Sequence, residues 1–517
     1  MELIAYFWEQ EDAESVAAQL DGTVRRERFQ GEDDDEDHPW VVVLGAVDRE
    51  ALDALLAEYD GWLETAVAEP VAAPPPPLPS GPKRFKKGVN PSAGAWRGPA
   101  MQTTPLRWEA DVVIVGGAVG GASTAHALAT LGVSSIVLER TATFPELNRG
   151  DILQPLSLGL LEKWGVLPHV KAMGGYDVVA SGFYHRVHGF LGEWGFADLD
   201  MPHPHQTVLR HTNLHRALYA AFASHGELVS VQRGAQVSSL LFDDSGMRAR
   251  GVAGRIGGVP FEAVGKVVVA ADGPASRIRK AIGIGYDQRH TYDHAYLMPT
   301  CPRPNVPELE HRNMRYVGAD GLTMLIPLDG GREVRVPFQI PLAEETYWRA
   351  LEPQELWQRM VERAPVLGSV PGLIEGGMHI YRIHLGHAER YVKANVCLVG
   401  DAAHVVPPTL GQGMFMAMLD ADILAAVIRR GLDDGDLVGG LQLYDELRRP
   451  ANEIVLAASH EQTLVQTAIG PEVDAHVLRD FAWLSDPVQR RAAAERISGM
   501  LNKTAEQLGI LSGGVRQ

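Results

Sequence analysis

The chain has 517 residues, 45% of them hydrophobic and 22% charged, which allows two or three domains around a large buried core. Its net charge of −18 argues against nucleic acid and anionic membrane as partners. Residues 1 to 9 lack the basic and apolar segments of a signal peptide, no apolar run is long enough for a transmembrane segment, and Cys301 and Cys397 are the only cysteines. A cytoplasmic protein without a disulfide framework is expected.

In chain order, residues 1–69 read as a small α+β domain. Leu3 to Trp8 and Trp40 to Leu44 are apolar strands, Asp12 to Leu20 and Arg49 to Tyr59 have helical spacing, and Thr23 to Phe29 and Leu63 to Val67 complete a β-α-β-β-α-β pattern of ferredoxin-like type. The acidic run Glu32 to Asp37 is read as a solvated hairpin loop. Residues 70–107 form a stiff linker containing Pro74 to Pro77, then the basic stretch Lys83 to Lys87.

A larger body begins near Trp108 with the first of three glycine-acid signals. Asp111 to Val115 is an apolar strand running into Gly116, Gly117, Ala118, Val119, Gly120 and Gly121; a helix to Leu131 and a strand Ser135 to Glu139 follow. This is the dinucleotide-binding fingerprint, with Gly116 for the tight turn, Gly121 for close helix packing, and Glu139, next to Arg140, for a ribose hydroxyl. Ala118 replaces the middle glycine and puts a methyl where backbone would approach a pyrophosphate. The second signal is the strand from Lys266 that ends in Asp272 and Gly273, with Ser276 and Arg279 beyond; Asp272 also suits a helix N-cap. The third runs from Val396 through Gly400 and Asp401, a turn stiffened by Pro407 and Pro408, and Gly411, Gln412 and Gly413, which open a helix at Met414. The start of a helix gathers free N–H groups and a positive dipole end, so an anionic or electron-rich group is expected there.

In this order the three signals resemble the FAD-dependent monooxygenases of the aromatic hydroxylase and squalene epoxidase type, with the para-hydroxybenzoate hydroxylase fold, over about residues 108–445. The resemblance implies that FAD is held by Gly116, Ala118, Val119, Gly121, Glu139, Arg140, Asp272, Gly273, Arg279, Gly400, Asp401, Gly411, Gly413 and Met414. It places Pro407, Pro408, Gly411, Gln412 and Gly413 along the flavin ring edge. The segment Arg149 to Gln154 resembles the place where the family holds the flavin with an arginine and a polar residue, here Arg149 and Gln154. Arg210 resembles an FAD-contacting arginine ahead of a helix. The family has asparagine two residues after Gly-Gln-Gly; this chain has Phe415, a departure that touches the flavin contacts. His404 fits a loop-fixing hydrogen bond better than a catalytic base.

The expected fold is α/β: a Rossmann-like FAD-binding domain, 108–285 and 386–445, with an inserted mixed-sheet substrate domain, 286–385, and a helical C-terminal region, 446–517. Strands at 322–328 and 333–340, joined at Asp329 to Gly331, offer a sheet face over the flavin. Met298, Tyr316, Met324, Phe338 and Phe415 are candidate pocket residues, with ordinary core packing as the plain alternative for each. Ala492 to Leu508 reads as an amphipathic helix packed on the body. The resemblance implies a single-component enzyme in which NAD(P)H reduces FAD. O2 then forms a flavin hydroperoxide that hydroxylates or epoxidises an apolar aromatic or polyene small molecule, without a metal. A flavin reductase or dehydrogenase, a halogenase, and a non-catalytic flavin-bound regulatory protein are the alternatives. The choice of NADH or NADPH and a homodimer stay open.

Overall fold

The computed structural model of the chain describes residues 3–7, 10–26, 40–45, 47–48, 51–52, 55–56, 62–63, 105–144, 151–373, 380–499 and 501–510. A six-stranded sheet organises the body. Its order is Val229–Arg233, Ser135–Glu139, Val112–Val115, Val267–Ala270, Val396–Leu398, Val392–Lys393. The first five strands are parallel to their neighbours and the last is antiparallel. The central strands are continuous apolar runs, and every residue of Val112–Val115 and Val267–Ala270 is buried. This is the composition of a parallel sheet covered on both faces.

A second, ten-stranded mixed sheet stands beside it. Its strands Thr323–Leu328 and Glu333–Arg335 pair antiparallel across the turn Asp329–Gly331, as the sequence predicts. The second strand then breaks at Val336 and Pro337 and resumes as Phe338–Pro341, since proline has no N–H for the ladder. The expected boundary of 286–385 is too narrow. Ala180–His185 and Gly189–Gly195, inside the segment assigned to the FAD-binding domain, belong to this sheet through parallel pairing of Ala180–His185 with Arg312–Tyr316. A hydrophobic pattern marks strands but not the sheet they join.

The C-terminal helices also differ in extent. Leu437–Gln466 runs unbroken through Pro450. The helix expected at 492–508 is Pro487–Ser498, ended by Gly499 in the left-handed conformation, and it packs against Gly189–Gly195. In the N-terminal unit the strands order as Thr23–Arg26, Trp40–Leu44, Leu3–Phe7, Trp62–Leu63, with antiparallel neighbours throughout. The ferredoxin-like assignment stands as a proposal, because the second helix is described only at 51–52 and 55–56. Both cysteines are buried and unpaired. Among the described residues no helix is long and apolar enough to cross a membrane.

Two buried histidines give the body a pH dependence. His126 lies under the helix His211–Ala221, with Nε2 2.9 Å from Leu218 O and Nδ1 2.8 Å from His225 Nε2. Burial lowers its pKa to about 4, and burial likewise lowers His387 to about 4. Below the ordinary value of 6.5 the unfolded chain takes up protons that these rings refuse. Stability should therefore be level above about pH 7 and fall between about pH 6.5 and 4, by up to roughly 3 kcal/mol per ring. Melting temperatures measured across that range, with His126→Phe expected to reduce the slope, check this. A flat profile in the wild type is the contrary result.

Candidate active site

Backbone hydrogen bonds join the carboxyl ends of the parallel strands into one rim. Gly116 N–H donates to Leu138 O at 2.9 Å, Ala271 N–H to Val115 O at 2.8 Å and Val399 N–H to Ala270 O at 3.0 Å. Gly116, Glu139, Asp272 and Gly400 therefore line the same edge. From the carboxyl end of Val112–Val115 the chain turns toward Ser135–Glu139, and from that of Val267–Ala270 the sheet continues on the opposite side with Val396–Leu398, so the switch point between these two strands is where open α/β sheets bind ligands. Two helices begin on this edge without a side-chain cap, Val119–Thr130 after Ala118 and Gly413–Asp434 after Gln412. Each offers N–H groups and a positive dipole end. Ala118, at the start of the first of them, is exposed.

At one end of the crevice, Glu139 accepts from Gly117 N–H at 2.8 Å through Oε2, and from the Thr141 N–H and hydroxyl at 2.8 and 2.7 Å through Oε1. Tyr219 and Phe144 pack edge to face beside it, and the Arg233 guanidinium lies 3.9 Å from the Phe144 ring centroid. Burial, then the Glu139 charge, push the Tyr219 phenol up. These three residues are absent from the sequence reading. They lie far apart in the chain, and no local pattern marks them.

The loop Gly400–Leu410 is held from both sides. Behind it, Asp420 Oδ2 accepts from His404 Nε2 at 2.6 Å and from Gly400 N–H at 3.3 Å. Its Oδ1 accepts from Arg448 Nε at 2.9 Å and Asn452 Nδ2 at 3.0 Å. His404 is fully buried in this network, in a loop-fixing position. In front, Gln154 Nε2 donates to Leu410 O and Gly411 O, both at 3.0 Å. Gln206 donates to Gln154, and Asn313 of the substrate sheet donates to Gln206. A buried ion pair, Arg335 to Asp151 at 3.0 Å, makes a second tie between that sheet and the segment leading to Gln154.

A cavity of about 250 Å³ opens beside the loop. Leu410 forms one wall, Phe183 and Arg315 of the sheet another, and the C-terminal segment closes it with Gln466, Trp483 and Ile497.

Residues 109–459 match the family described as FAD binding domain. The chain belongs to that family. Among its relatives, the ubiquinone hydroxylase UbiL of Rhodospirillum rubrum is 29% identical over 370 residues, covering 67% of this chain and 80% of the relative. The 6-methylpretetramide 4-monooxygenase of Streptomyces rimosus is 26% identical over 360 residues, 66% and 81% of the two chains. The crystal structure of p-nitrophenol 4-monooxygenase PnpA from Pseudomonas putida superposes with a TM-score of 0.65 at 21% identity. It covers 76% of this chain and 99% of that one, and shares the fold.

The crevice of this flavoprotein suits FAD. Two uncapped helix starts offer donors to a pyrophosphate, and Glu139 ends the strand where a ribose acid belongs. Asp272 is half-buried with Oδ1 unpartnered, and burial pushes its carboxyl up. Its Oδ2 accepts from Ile278 N–H at 3.2 Å, while Ser276 caps the helix that follows. Gly273, Asp401, Gly411, Gly413 and Met414 lie on the loops and helix start around the same crevice.

The arginines expected at the cofactor differ in their surroundings. Arg149 lies outside the described residues. Arg140 is exposed. Arg210 is tied to Asp329, at 2.9 Å, and to Glu333, so its charge braces the substrate-sheet turn. Arg279 is buried, its guanidinium donating to Tyr286 Oη, Ala402 O and Pro274 O, and it clamps the Asp272 loop to the Asp401 loop. Tyr316 and Phe338 are corrected outright. Strand alternation turns them, with Leu297 and Leu325, onto the outer face of the sheet around Trp348. Met298 and Met324 share the inner core with the nucleotide-binding body. Phe415 does not line the cavity: it is 1% exposed, and its ring packs where Gly499 and Leu156 meet. The family asparagine position is thus used here to seat the C-terminal segment.

Proposed function

We propose that the protein is a single-component FAD-dependent monooxygenase that uses NAD(P)H and O2 to hydroxylate an aromatic small molecule. The observation that carries this reading is the junction of the two sites. Leu410 belongs both to the loop ahead of the uncapped helix Gly413–Asp434 and to the wall of the cavity. Bound FAD, reduced by NAD(P)H, supplies the oxygen activation. The protein positions and encloses. Gln154 fixes the carbonyls of Leu410 and Gly411, the Asp420 network fixes the loop from behind, and Phe183, Trp194 and Trp483 keep water from an aromatic guest.

Relatives named as a ubiquinone hydroxylase and as a 6-methylpretetramide 4-monooxygenase agree with such a reaction. The test is purification with added FAD, followed by turnover under labelled oxygen. The expected results are a yellow protein, substrate-stimulated NAD(P)H oxidation and one labelled oxygen atom in the product. Stimulated oxidation that yields only peroxide, or turnover that proceeds without oxygen, sinks the monooxygenase reading.

A further inference from the structure

Among the described residues, the cavity contains a cation that no carboxylate pairs. Arg315, on the inner face of the sheet, is 4% exposed. Its Nη1 donates to Thr409 O and to Gln466 Oε1, both at 2.9 Å, and both are neutral acceptors. Its Nε is buried with no partner. Other buried arginines are compensated differently. Arg335 and Arg448 each pair a carboxylate, and Arg279 spends two nitrogens on three oxygens. Burial pulls the Arg315 guanidinium down only to about 10, so it remains charged at neutral pH. A buried charge without a counter-charge is costly unless a ligand completes it.

The surroundings favour an anion. In a chain of net charge −18, the described residues that line the cavity include Arg315 and Arg496 and no acidic residue. Close to Thr409, the Tyr296 hydroxyl has no partner in hydrogen-bond geometry. The Phe183 ring lies 5.8 Å from the guanidinium carbon, and Trp194 and Trp483 complete an aromatic enclosure. We infer that the cavity takes aromatic molecules bearing an acidic oxygen (carboxylate, phenolate or enolate) and that Arg315 is the residue that pairs with it. The assignment rests on the monooxygenase reading above and narrows its substrate class.

The probes are naphthoate and naphthamide, the same ring system with and without a charge. Binding is measured by calorimetry on full-length, FAD-loaded protein near pH 7. A charge-assisted hydrogen bond in a buried site predicts a preference of about tenfold or more for the carboxylate. Arg315→Met is expected to bring that preference to within about twofold, and Arg315→Lys to retain part of it. Flavin content and melting temperature establish that each variant folds; if Arg315→Met does not, the wild-type ratio and Arg315→Lys decide. Equal binding of the two probes, binding of neither, or a preference that survives Arg315→Met overturns the inference. A protein that retains FAD but shows no preference leaves the monooxygenase reading standing, whereas failure to bind FAD removes both.

Discussion

Asp420→Ala is expected to destabilise the body by about 3–5 kcal/mol, the cost of removing one member of a buried ion pair, and to weaken FAD retention with it. Asp420 is fully buried, as is His404, and Arg448 is 2% exposed. Burial alone would push the carboxyl up; His404 and Arg448 beside it reverse the effect and hold it well below the usual carboxylate range. Removing the carboxylate strands the Arg448 charge inside the protein. It also frees Gly400 N–H and His404, the two points by which the helix Gly413–Asp434 holds the loop. The stabilisation belongs to the ionised form. It is fully present above the unfolded value near 3.8 and is lost only as pH falls through the depressed folded value. The deficit of the variant should therefore be constant between about pH 5 and 8. Denaturant unfolding followed by tryptophan fluorescence, with flavin release recorded in parallel, measures both effects. A midpoint and flavin release indistinguishable from wild type would show that the network is dispensable.

The same loop shows what a sequence can and cannot carry. Gly116, Gly121 and the Gly411 to Gly413 turn are legible because a backbone demand within a few residues restricts the residue type. His404 is legible as a loop fixer, but its partner at position 420 is not, since that pairing depends on how a helix turns back over a strand. Tyr316 and Phe338 are misplaced for a related reason. Alternation groups residues by face but does not say which face looks at the nucleotide-binding body. Arg315 sits between Met314 and Tyr316 in a strand covered on both sides. From the sequence it resembles a solvent-facing position. Only the packing of residues 462–497 over the sheet makes it a buried charge in a cavity. Phe415 is the converse case, a departure from a family pattern at a position whose ring packs against a glycine distant in the chain.

Substitutions along the first glycine turn should grade by what the new Cβ meets. At Gly121 the Cβ would fall 1.8 Å from Gly116 O, and at Gly116 it would fall 2.1 Å from Ala271 O with φ at +97°. In both cases the obstacle is backbone, which moves only if helix Val119–Thr130 or strand Val267–Ala270 withdraws from the crevice. Overpacking costs about 1–3 kcal/mol, and the left-handed strain at Gly116 adds about 1–3 kcal/mol, so Gly116→Ala and Gly121→Ala are expected to lose FAD even where the fold survives. Gly117→Ala meets chiefly the Tyr219 hydroxyl at 2.1 Å, the far end of a side chain that can swing away, and should retain FAD with reduced affinity. Gly273→Ala has φ at +85° but nothing within 4 Å, so it isolates strain from collision at about 1 kcal/mol. Flavin stoichiometry after gel filtration and melting temperature rank the four variants. The order of severity expected is Gly116 and Gly121 first, then Gly117, then Gly273. If Gly121→Ala holds FAD as wild type does, the close approach of helix and turn is not what shapes the crevice, and the rim of strand ends loses its claim to be the cofactor's cradle.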